Sequence, residues 1–276
     1  MKIFIFTALV FSVVTEVRAA PAKWPLFAFQ NGVHFKTIEE RVRVLKELGY
    51  DGIGSANPSA GEELQRRLKV YDAAKLKLFS FYVGGKLGAK GHSYNPVITE
   101  MITGLKGRDT VIELYIQGSR KNNTDEQAVA FVREIADQAR QSGLKVVLYP
   151  HAGFYIDRIG DAVRVAKKCD RENVGVMFNL CHFLHVEPKS ELKAALENAK
   201  PLLWRASISG AEAGGRSWGQ LIQTLDRGSF DQASVLELLR SVGFDGVIGL
   251  QCYAIRGDSR DNLRRSMDAW EKLHDR

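Results

Sequence analysis

Two short runs of this 276-residue sequence set proton-moving side chains at the ends of apolar stretches. In KVVLYPHAGFY the apolar residues Val146, Val147 and Leu148 give way to Tyr149, Pro150 and His151, with Tyr155 close behind. In VGVMFNLCHFLHVE the same change occurs at Asn179 and His182, whereas His185 reads as an ordinary loop residue. Histidine has an unperturbed pKa of about 6.5, so it accepts and releases protons near neutrality, and a neighbouring tyrosine can donate to a developing oxyanion. Asn179 can both donate and accept, which suits a substrate hydroxyl. These runs suggest acid–base chemistry on a small polar molecule, with His151, His182 and Tyr149 as candidate catalytic groups. The plainer alternative is that polar residues merely satisfy the ends of strands and loops.

Such groups act only if a scaffold brings them together. Apolar segments with strand character lie near 26–30, 52–56, 78–83, 111–117, 145–149, 174–179, 203–209 and 247–252, and nearly every gap between them carries a helical pattern. Thr124-Asp125-Glu126-Gln127 reads as a capping box, opening a helix whose apolar face holds Val129, Val132, Ile135, Ala136 and Ala139. GYDGI and GFDGV echo each other, with Gly49 and Gly243 closing a helix just before a strand. Eight strands at about 30-residue spacing, with neither G-x-G-x-x-G nor G-x-x-x-x-G-K-[ST], fit an α/β fold of one domain. The expected architecture is a closed (β/α)8 TIM barrel, with its chemistry at the carboxyl ends of the strands.

On that barrel the pocket-facing residues are expected to be Gln30, Tyr82, Gln117, Tyr149, His151, Asn179, His182, Ser207 and Gln251, with Trp204 and Tyr253 near the same level. Amides, hydroxyls and aromatic faces are what a sugar asks for, because its hydroxyls need donors and acceptors and its C–H faces stack on rings. Lys86 is expected in the third loop, and Asp231 as the cap of a helix over 232–242.

With 45% hydrophobic and 26% charged residues the chain can bury a core, which excludes disordered, collagen-like and coiled-coil classes. The net charge of +7 permits polyanion binding, but bases and acids interleave from Glu39 to Glu47, which reads as solvated helix faces and not a nucleic-acid patch. Three cysteines, an odd number at spacings unlike a zinc site, argue against a disulfide framework. Residues 1–22 read as a secretory leader: Lys2 precedes an apolar run from Ile3 to Val14 too short to span a bilayer, followed by small-x-small patterns at Val17-Arg18-Ala19 and Ala20-Pro21-Ala22. The barrel would then occupy 23–276, exported to the periplasm or outside the cell, without membrane contact once the leader is removed.

In GYDGI, in LYPH (similar to L-E-x-H), in FNLCH (similar to D-x-x-H) and in GLQCY at the last strand, the chain resembles the xylose isomerase-like TIM-barrel superfamily. That group holds sugar isomerases and epimerases and also endonuclease IV-like enzymes. The resemblance puts the family's metal-binding carboxylates at Tyr149, Asn179 and Gln251, and its seventh-strand histidine near Ser207, so no charged oxygen ligand remains at those positions. Neutral donors hold Mn or Mg weakly, and His151 and His182 alone are too few for a tight site, so no cofactor is expected. The resemblance thus implies a sugar isomerase or epimerase, or a related lyase, acting on a small carbohydrate or keto-sugar by proton transfer next to a carbonyl without the usual metal. A catalytically silent carbohydrate-binding barrel is the alternative from another class. A metal-dependent endonuclease-type hydrolase is disfavoured, since its zinc cluster needs many more His, Asp and Glu ligands.

Overall fold

The structure, a computed structural model, describes residues 23–274, so the expected leader at 1–22 lies outside the described residues. Among the described residues nine strands form one sheet: β1 (Leu26–Phe29), β2 (Gly52–Ser55), β3 (Lys77–Gly88), β4 (Gly91–Tyr94), β5 (Val111–Gln117), β6 (Lys145–Leu148), β7 (Val174–Asn179), β8 (Leu203–Ile208) and β9 (Val247–Leu250). Every pairing but that of β3 with β4 is parallel, and pairing of β2 with β3 closes the other eight strands into a barrel. Helices α1 (Ile38–Glu47), α2 (Gly61–Ala73), α3 (Val97–Gly104), α4 (Asp125–Gln141), α5 (Ile159–Cys169), α6 (Leu180–Val186), α7 (Leu192–Ala199), α8 (Trp218–Leu221) and α9 (Gln232–Ser241) lie in the connections, and α10 (Ser259–His274) follows β9. The chain is a single-domain (β/α)8 barrel, and all eight strands coincide with the apolar segments of the sequence.

The helix signals act as their chemistry dictates. The Thr124 hydroxyl accepts from the Gln127 amide while the Gln127 side chain accepts from Thr124 N–H, so the capping box opens α4. Asp231 accepts from Ala233 N–H at the start of α9. Gly49 and Gly243 have φ of +86° and +73°, the left-handed turn that glycine makes without Cβ strain.

The third loop departs from expectation. Lys86 is not in a loop: β3 continues through it to Gly88 and folds back antiparallel as β4, pairing Lys86 with Ser93. The hairpin is anchored on α4, where Glu134 accepts from the Tyr94 hydroxyl (2.6 Å) and pairs with His92 (2.7 Å).

The core has two shells. Outward strand residues such as Leu26, Ile53, Phe81, Ile112 and Leu114 pack under the helices. Inside the barrel Phe27, Phe29, Phe79, Val111, Val147, Tyr149 and Met177 form a second cluster. Gly249 makes room for it, since a Cβ there would stand 2.6 Å from the Phe29 ring and 2.7 Å from that of Phe27. Packing and not cross-linking holds the barrel: Cys169, Cys181 and Cys252 are all buried free thiols.

Candidate functional site

β6 ends at Leu148, and Tyr149 follows on the inward side with its ring in the interior cluster. Its hydroxyl oxygen accepts from Asn179 Nδ2, at the end of β7, and from Gln251 Nε2 (3.3 Å), just past β9. The orientation of Gln251 follows from the backbone, because its Oε1 accepts from Cys252 N–H (3.1 Å) and Tyr253 N–H (3.2 Å), leaving the amide nitrogen for Tyr149. With two donors already on the oxygen, the phenol's own proton is free to point at a ligand. Burial holds its pKa well above the ordinary tyrosine value, so Tyr149 is a neutral donor.

His151 and His182 meet above this phenol with ring centroids 4.1 Å apart, and a single residue, Ala152, sets both tautomers. Ala152 N–H donates to His182 Nδ1 (3.2 Å), so a neutral His182 carries its proton on Nε2. The Ala152 carbonyl lies 3.0 Å from His151 Nδ1, which must donate to it, leaving the Nε2 lone pair of His151 as an acceptor. Burial lowers the pKa of both rings, that of His182 well below 6.5, with the charge of the neighbouring histidines acting in the same direction on His182. The pair is therefore neutral at neutral pH, one member a base and the other a hydrogen-bond donor.

Aromatic rings wall the pair. His151 stacks on Phe154 (3.9 Å) and His182 meets Trp218 edge-on (5.1 Å), while His185, expected as a plain loop residue, lies on α6 and stacks on Trp218 (4.4 Å). Tyr82 lies 4.7 Å from the Tyr149 ring and 4.8 Å from that of Tyr115. Trp218 was not legible in advance because it sits on the four-residue helix α8, within a loop lacking periodicity.

The structure brings Tyr149, His151, Asn179, His182, Gln251 and Tyr82 together. Gln30 stands at the end of β1, where it accepts from the Ser55 hydroxyl (2.9 Å), and Gln117 ends β5 beside Lys86. Ser207 is fully buried on β8, in register with Asn179, and its hydroxyl has no partner among the described residues. Tyr253 is 53% exposed at the mouth. Trp204 corrects the expected set: as the second residue of β8 it lies at the opposite, amino-terminal end of the barrel, with the Lys145 ammonium 5.1 Å from its ring centre. Strand alternation gave its side but not its level along the barrel axis.

The family position set of Tyr149, Asn179, Ser207 and Gln251 consists of hydroxyls and amides, with His182 beside it. Among the described residues no group of three or more His, Cys, Asp or Glu side chains is gathered as a metal would require. A hard divalent cation seeks carboxylate oxygen, and the two amide nitrogens here point at a phenol, so the donor set does not fit it.

A family model described as a xylose isomerase-like TIM barrel matches residues 42–273. No protein of curated function matches the sequence. The fold is similar to that of apo 3-keto-D-glucoside 4-epimerase from E. coli, at 17% identity and a TM-score of 0.71 over 91% of this chain and 99% of that one. It is similar to D-allulose 3-epimerase from Methylomonas sp. in complex with D-allulose, at 14% identity and a TM-score of 0.70 over 92% and 99% of the two chains. A xylose isomerase-like TIM-barrel protein from Mycobacterium smegmatis in complex with magnesium gives 16% identity and 0.65 over 91% and 96%. At these identities the structural likeness is one of fold, and the family match rests on the sequence itself. Because that match spans most of the chain and the closed eight-stranded barrel agrees with it, this chain belongs to the xylose isomerase-like TIM-barrel family.

Proposed function

We propose that this protein is a sugar isomerase or epimerase that moves a proton next to a carbonyl with its own side chains and no tightly held metal. The observation that carries the reading is the opposed tautomers fixed by Ala152: His151 offers Nε2 as base while His182 offers Nε2–H as donor. His151 takes the proton from the carbon beside the carbonyl. The electron pair left behind forms an enediolate whose oxygen is held by the Tyr149 O–H and the His182 N–H. The protonated His151 then delivers the proton to the former carbonyl carbon while the proton of the adjacent hydroxyl passes to the enediolate oxygen, which moves the carbonyl by one carbon. Protonation of the original carbon by water on its opposite face, with His151 releasing its proton to solvent, inverts that centre instead. A neutral imidazole is the fitting donor to such an oxygen, since it stabilises the charge without first protonating the carbonyl. Tyr253, exposed at the mouth, is suited to stack on the C–H face of a pyranose. Sugars named with the fold neighbours, a 3-keto-D-glucoside and D-allulose, support a carbohydrate or keto-sugar as the substrate class. Screening the purified protein against a panel of sugars and keto-sugars, with products resolved by stereochemistry, tests this directly: at least one panel member is expected to be converted, and none converted would contradict it.

Independence from metal has its own readout. Chelator is expected to leave both the melting temperature and turnover unchanged, and elemental analysis to find no stoichiometric divalent ion. A bound stoichiometric metal, or a large chelator-induced drop in melting temperature, would show that His151 and His182 recruit further ligands.

Export is the remaining part of the proposal, resting on the basic start and short apolar run of residues 1–22. Mass spectrometry of the protein recovered outside the cytoplasm of its host is expected to find an N-terminus between Ala20 and Lys23. An exported form that retains Met1 would contradict it.

A further inference from the structure

At the centre of β5 stands an acidic residue that the proposed chemistry does not use. Val111 packs in the barrel interior and side chains alternate along a strand, so Glu113, Tyr115 and Gln117 share its inward face. Glu113 is fully buried, and neither carboxyl oxygen has a partner in hydrogen-bond geometry among the described residues. An isolated carboxylate in such a place costs several kcal/mol, so the group gives way by holding its proton. Burial pushes its pKa up to about 7, against the opposing influence of the Ser80 hydroxyl on β3 and of Arg205 on β8.

The surroundings give this carboxyl a direction to act in. Tyr82 is its register partner on β3, and Tyr115 and Tyr149 occupy the next inward positions up β5 and β6, roughly 7 Å along the strands. The anion disfavours ionisation of both Tyr82 and Tyr149. Below, Arg205 donates to the Trp204 carbonyl (3.0 Å), its Nε has no partner among the described residues, and Asp109 adds its charge from further out. Arg205 also lines two clefts of about 340 and 640 Å³ at the amino-terminal mouth, giving solvent an approach on the side away from the substrate.

We propose that Glu113 is a positioning residue for the proton donor: its neutral form leaves the Tyr149 phenol able to hold a developing oxyanion, and its anionic form weakens that donation. The inference rests on the isomerase or epimerase reading for its consequence, but not for its detection. No bond to substrate is made or broken by Glu113; its proton passes to solvent and its charge acts across the tyrosine layer.

The test is a pH titration of the Tyr149 phenol carbon resonance in protein carrying 13C-labelled tyrosine, assigned with Tyr149→Phe. Wild type is expected to show a step with its midpoint near 7, and Glu113→Gln to show none, because the amide carries no titrating charge. His151 and His182 titrate below 6.5 and so fall on the acid side of that step. With a turned-over sugar, kcat in wild type is expected to fall as pH rises through the same midpoint, and that limb to vanish in Glu113→Gln while KM changes little. Should Glu113→Gln fail to fold, loss of the carboxylic-acid stretch in wild-type difference infrared spectra must track the Tyr149 step. No step in wild type, or a step that persists in Glu113→Gln, would overturn the proposal. An intact step in a protein that turns over no sugar would retire the reaction and leave the Glu113–Tyr149 coupling established.

Discussion

Replacing His151 with Gln is expected to lower turnover of the true substrate by on the order of 10² or more while the melting temperature stays close to wild type. Gln keeps much of the size and can still donate to the Ala152 carbonyl, so the turn survives; what disappears is the Nε2 lone pair that takes the carbon-bound proton. His182→Gln should fall by a similar factor, because an amide can accept from Ala152 N–H but does not place a donor at the level of imidazole Nε2. The pH behaviour gives a second reading of the same pair. Burial depresses both folded-state pKa values below 6.5, so the unfolded chain binds protons more readily than the folded one. The corresponding stability is fully present above about 6.5 and is lost as pH falls through the folded values. Thermal melts between pH 7 and about 5 should therefore drop more steeply for wild type than for the double Gln variant. Full activity in both single variants would remove the acid–base assignment.

Phe27→Ala is expected to cost about 3–5 kcal/mol, read as a fall in the urea midpoint at unchanged slope. Phe27 is fully buried at the heart of the barrel interior, 5.0 Å from the Phe29 ring and 5.7 Å from that of Phe79. The upper part of the range applies because Gly54 and Gly249 face this ring and have no side chains with which to fill the hole. The interior cluster includes Tyr149, so the same variant should loosen the phenol and lower turnover as well. A loss below about 1 kcal/mol would mean that the barrel interior collapses around the vacancy more freely than its packing suggests.

The barrel was legible because its parts carry local signals. Period-two apolar runs gave the strands, Thr124 and Gln127 the start of α4, and Gly49 and Gly243 the helix ends. The meeting of Tyr149, Asn179 and Gln251 was legible too, since a closed parallel barrel brings its carboxyl ends together, and His182 joins them from the first turn of α6. What escaped depends on position along the barrel axis or on loop conformation. Trp204 has the right side but the wrong level, and Trp218 reaches His182 only through the path of an aperiodic loop. The β3–β4 hairpin hides in VGGKLGAKGHSY, where glycines disguise the alternation. Glu113 hides inside the apolar run VIELYIQ, although a lone acid on the inward phase of a barrel strand signals a group that burial will perturb.

The central claim, proton abstraction beside a carbonyl by His151, is tested most directly by incubating the protein in D2O with the panel of sugars and keto-sugars and following deuterium at each carbon. Wild type is expected to incorporate deuterium at a carbon adjacent to the carbonyl of at least one panel member, in the presence of chelator, and His151→Gln to do so at least about 10²-fold more slowly. Saturable binding of a sugar without any exchange, or exchange that His151→Gln leaves untouched, would contradict the claim and leave a barrel that binds carbohydrate without transforming it.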